Sequence, residues 1–66
     1  MKAIKFTNSL GHEQILNLSS VSMIEKQTHQ NAIVLHFAKE HMHITLKTSE
    51  ERDDLFERIC TELGVG

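Results

Sequence analysis

Residues 31 to 46 read "NAIVLHFAKEHMHITL", and two alternating runs within them decide the fold. Ile33, Leu35 and Phe37 alternate with Ala32, Val34, His36 and Ala38. Beyond Lys39 and Glu40, Met42, Ile44 and Leu46 alternate with His41, His43, Thr45 and Lys47. A period of two marks a strand with one buried face, so the stretch reads as a β-hairpin with strands over 32–38 and 41–47. If Lys39 and Glu40 are the central turn residues, Ala38 pairs with His41, His36 with His43 and Val34 with Thr45. Lys-Glu is a poor two-residue turn beside Asn-Gly, and a four-residue loop is the alternative. That loop shifts the pairing by two and leaves every side chain on its face. Either way His36, His41 and His43 share one face, with Phe37, Leu35, Ile33, Met42, Ile44 and Leu46 on the other.

Working towards the N-terminus, "NSLGH" supplies a turn between strands at 2–7 and 13–18, with Ile4, Phe6, Leu16 and Leu18 inward. "SSVS" breaks the alternation before a strand at 22–27. There Met23 and Ile24 are neighbours and so face opposite ways, Ile24 being placed inward. Working towards the C-terminus, "TSEERDDLFERICTELG" carries helix signals over 49–63. Thr48 and Glu51 make a capping box, acids crowd the first turn, and Gly64 suits the C′ position. Leu55, Phe56, Ile59, Cys60 and Leu63 form one apolar stripe. Asp54 and Arg58 are placed to pair on the outside.

The fold expected is α+β: a small curled antiparallel β-meander of about five strands with one C-terminal helix on one face, a single domain over 1–66. One helix covers only part of such a sheet, so the sheet must curl or a second subunit must complete the layer. A 66-residue chain buries only about 60% of the surface its unfolded chain exposes and is marginal without a disulfide, a metal, a partner or a very efficient core. Cys60 is the only cysteine, which excludes an intrachain disulfide and fits a reducing compartment. With no spanning segment and no signal-like h-region, a soluble cytoplasmic protein is expected.

Charge is unevenly spread. Residues 1–48 carry five Lys against Glu13, Glu25 and Glu40, and residues 49–66 carry six acids against Arg52 and Arg58. Neither part has the basic stripe of a nucleic-acid footprint, and three Phe with no Tyr or Trp give little for base stacking. Lys2, Lys5, Lys26 and Lys47 make nucleic-acid binding the weakest reading.

Two readings of the hairpin's polar face remain. His36, His41 and His43 lie at cross-strand spacing that permits Zn²⁺ binding, with Glu40 the nearest carboxylate in sequence. The bland reading, imidazoles on a wet sheet face, needs no metal. Alternatively Ala32, Val34, His36 and Ala38 form a drier patch suited to self-association, with Ile15 and Met23 exposed nearby. Catalysis is not expected. Cys60 lies on the buried stripe, the serines read as turn and cap residues, and the glycines form no phosphate loop.

The order of a short meander, "LNLSSVSMIE", a hairpin and an acidic C-terminal helix resembles the small bacterial flagellar proteins of the FlbD type. The hairpin-turn Gly and the preceding Pro-Asp-Thr of that group are absent, and no residue or function is carried across. The sequence points to a small bacterial-type, non-enzymatic protein-binding or scaffolding module acting as a homo-oligomer, with a metal-binding module as the alternative.

Overall fold

A computed structural model describes residues 2–65; Met1 and Gly66, the ends of the 1–66 span, lie outside the described residues. Five antiparallel strands precede one helix: β1 (Ala3–Thr7), β2 (Glu13–Asn17), β3 (Met23–Gln27), β4 (Ala32–His36), β5 (His41–Thr45) and α1 (Ser49–Leu63). The fold is α+β, as the periodicities require. The meander is split into two sheets, β1-β2 and β3-β4-β5, and β2 does not pair with β3. The split falls at "LSSVS". There the Asn17 side chain accepts from Ser19 N–H, Val21 N–H reaches the Leu18 carbonyl, and Ser22 is held by N–H and hydroxyl on the His36 carbonyl. These local bonds turn the chain before a β2-β3 ladder can start.

The central hairpin takes the four-residue loop. His36 pairs with His41, Val34 with His43 and Ala32 with Thr45, so Phe37 and Ala38 leave the strand and the two-residue turn is corrected. Lys39 and Glu40 cannot easily take the positive φ of a type I′ turn. The loop closes instead with Phe37 N–H on the Glu40 carbonyl. Because the shift is two residues, the faces are those expected.

Ile4, Phe6, Leu16, Leu18, Ile33, Leu35, Ile44, Leu46, Leu55 and Ile59 form the buried core, with Val21, Ile24, Phe37, Phe56 and Leu63 packed half-buried against it. Met42 was expected among them and is exposed. It pairs with Leu35 near the loop end of the hairpin, whereas the buried helix residues are Arg52, Leu55 and Ile59. Cys60 is half-buried with a free thiol.

The helix begins as its capping box dictates, Glu51 N–H donating to Thr48 Oγ1 at 3.1 Å. It ends on Gly64 at φ 79°, in the left-handed region that favours glycine. Thr48→Ala is expected to lower stability by about 1 kcal/mol. That is a fall of about 4–8 °C in Tm for a chain of this size, read by thermal circular dichroism.

Two arginines tie the helix to the sheets through backbone carbonyls. Arg58 does not meet the expected partner Asp54; its guanidinium donates to the Lys5 carbonyl at 2.7 Å. Arg52, 8% exposed, donates to the carbonyls of Gln27 and Gln30 and to Asp53. It thereby clamps the β3-β4 loop to the first helical turns. No helix among the described residues is long and apolar enough to cross a membrane.

Candidate functional site

Alternation along β3-β4-β5 sends Ile24, Ile33, Leu35 and Ile44 towards the helix and sets a second row of side chains on the opposite, outer face. Across that face Met23, His36 and His41 stand in register, followed by Glu25, Val34 and His43, then Gln27, Ala32 and Thr45. All three candidate metal-binding histidines therefore lie on one face. The rings of His36 and His41 have centroids 6.0 Å apart, and those of His41 and His43 are 5.5 Å apart. Glu25, on the neighbouring strand, lies at hydrogen-bond distance from His36, its Oε1 2.9 Å from Nε2. This carboxylate was missed in the sequence, where Glu40 stood nearer. Glu25 alternates with Met23 on the same face, and only the β3-β4 register shows that it meets His36. Among the described residues, no group of three or more His, Cys, Asp or Glu is gathered closely enough to hold one ion.

The patch Ala32, Val34, His36 and Ala38 is not one continuous surface. Ala32 and Val34 are only 2% and 3% exposed. They are small side chains on the central strand, flanked in register by Gln27 and Thr45 and by Glu25 and His43. They form the floor of the face. Ala38 is exposed in the loop, and His36 is half-buried between them. Of the exposed large apolar residues, Met23 on β3 stands beside His36 on this face, while Leu10 in the β1-β2 turn, Ile15 on β2, Met42 on β5 and Val65 do not belong to this row.

The backbone adds what side chains alone do not show. In an antiparallel ladder, pairs that exchange hydrogen bonds alternate with pairs that do not. Leu46 N–H meets the Asn31 carbonyl and Phe37 N–H the Glu40 carbonyl, both within the β4-β5 register. Hydrogen-bonded pairs are then 31–46, 33–44, 35–42 and 37–40. The N–H and C=O groups of His41, His43 and Thr45 therefore point away from β4, along the outer edge of β5. The Thr45 carbonyl is taken by Ser9 N–H at 2.8 Å. This bond joins the β1-β2 hairpin to the second sheet. Beyond it no strand among the described residues pairs with the outer edge at His43 or His41, and a shallow groove lined by Asn8, Leu10, Gln14, Met42 and His43 runs alongside.

Of Lys2, Lys5, Lys26 and Lys47, two face acids. Lys5 lies 3.9 Å from Glu13. Lys26 lies 3.5 Å from Asp53 and over the Phe56 ring. Compared with family models, curated proteins and solved structures, the chain matches none of them.

Proposed function

We propose that the chain is a small non-enzymatic binding and scaffolding module that works as a homo-oligomer, two copies joining along the outer edge of β5. The observation that carries this reading is the edge at His41 and His43, whose four outward backbone groups meet no strand among the described residues. An unpaired edge is a template for another strand. The occupant is a second copy, because the open segment is self-complementary. With Thr45 engaged by Ser9, the midpoint of the open segment is Met42. A twofold axis there sets His41 opposite the partner's His43 in a hydrogen-bonded pair, and the converse, using all four free groups.

The same axis brings Met42 against the partner's Met42 and covers a side chain left 37% exposed in one copy. It also keeps Lys39 and Lys47 from opposing each other, which an axis through His43 would not. So short a seam makes a weak, reversible interface. The half-buried thiol of Cys60 is consistent with work in a reducing compartment, the cytoplasm in this proposal.

Sedimentation velocity from about 10 μM to 1 mM tests the reading, a range set by the affinity of a small seam. The wild type should pass from monomer to dimer. Met42→Lys places like charges at the axis and should remain a monomer with unchanged circular dichroism. A wild type that is monomeric throughout the range would overturn the reading.

A further inference from the structure

We infer that the β5-β5 dimer carries a transition-metal site, built by His41 and His43 from both copies, that one chain alone does not have. This rests on the edge-pairing reading. In one chain the histidines lie in a chain of neighbours: Glu25 with His36, His36 with His41, and His41 with His43. No three ligands of a single copy gather around a point among the described residues.

Pairing changes the count. His41 becomes the direct cross-strand neighbour of the partner's His43, and both project from the outer face because paired residues share a face. Four imidazoles then stand at the corners of a rectangle, about 5.5 Å across the seam and about 6.8 Å along each strand. Each Cβ is about 4.5 Å from the twofold axis. A histidine bound through Nε2 places its ion about 5.5 Å from its own Cβ, given a Zn–N distance of about 2.0–2.1 Å. An ion on the axis, a few ångströms above the sheet, is thus within reach of all four rings.

Imidazole nitrogen donors suit Zn²⁺, Ni²⁺ or Cu²⁺ and not Mg²⁺ or Ca²⁺. His36 flanks His41 at the rim. Its Nε2 is held by Glu25, so its ring is oriented and partly committed. An ion that binds only the dimer must also tighten the dimer.

Native mass spectrometry of the tag-free chain, with and without Zn²⁺ and then with EDTA, reads subunits and metal together. The expected species is one Zn²⁺ per two chains, with dimerisation at least about tenfold tighter and the gain reversed by EDTA. His41→Ala should lose the Zn²⁺ adduct and, with it, the Zn²⁺-dependent gain in dimerisation. A metal-free dimer that takes up no Zn²⁺ overturns this inference and leaves edge pairing standing. A monomeric Met42→Lys chain that binds Zn²⁺ as tightly as the wild type also overturns it, since the site would then belong to one copy. A chain that neither dimerises nor binds Zn²⁺ removes both.

Discussion

Leu35→Ala should lower Tm by roughly 10 to 30 °C, the loss of about 2–5 kcal/mol divided by the small unfolding entropy of a small domain. Leu35 is fully buried on the central strand, between Ile24 and Met42 in register and within the cluster that receives Leu55 and Ile59. Truncation removes apolar area from water-free surroundings and leaves a cavity that a strand hydrogen-bonded on both edges closes poorly. A domain of this size has only about 3–10 kcal/mol in total, so much of the population should unfold near room temperature. Val34→Ala is the control. Val34 is nearly as hidden, at 3% exposed, but its cover is the outer-face row of Glu25 and His43 and not the core. Its truncation should lower stability by about 1 kcal/mol, because those side chains can settle into the space. Urea unfolding of the two variants measures the contrast, and equal losses would contradict the assignment of the core to the helix side.

Arg52→Ala should lower stability by about 2–3 kcal/mol, large for a charged residue on a helix. Its guanidinium spans the Gln27 and Gln30 carbonyls and lies 2.9 Å from Asp53. Lysine, a point charge without the planar fork, should restore less than half of the loss. The same change alters the acid limb. The Arg52 hydrogen bond and charge, with help from Lys26, hold the Asp53 carboxyl below its ordinary value against a smaller opposing effect of burial. A carboxylate with a depressed folded pKa adds stability above its unfolded pKa, and that stability is lost as pH falls through the folded value. Wild-type stability should therefore decline below about pH 4. Part of that decline should vanish in Arg52→Ala, whose Asp53 titrates closer to the unfolded chain. Parallel acid limbs in the two proteins would show that the pair carries no linkage.

Periodicity made most of the fold legible. The alternation of Ile33, Leu35 with Ile44, Leu46 assigns the faces whichever loop is used, and the Thr48 to Gly64 caps delimit the helix. Met42 obeys the same alternation and yet is exposed, since period gives the face of a sheet but not how far one helix extends along it. The break between β2 and β3 depends on whether two strands meet, a non-local event that turn residues only permit. Arg52 looked like one charge among the acids of the first turns. Its burial follows from the β3-β4 loop folding back over it, which no spacing encodes. The histidine face was readable, but its partner Glu25 required the register. The open edge of β5 required the phase of the hydrogen bonds as well.

Amide hydrogen exchange at His41 and His43, followed by NMR at two protein concentrations, tests the edge-pairing claim most directly. Ile44 N–H serves as the internal reference, because it is bonded to β4 in monomer and dimer alike. Edge pairing predicts that the His41 and His43 amides exchange at least about tenfold more slowly at high concentration, with Ile44 unchanged. Fast exchange of both histidine amides at every concentration would contradict it.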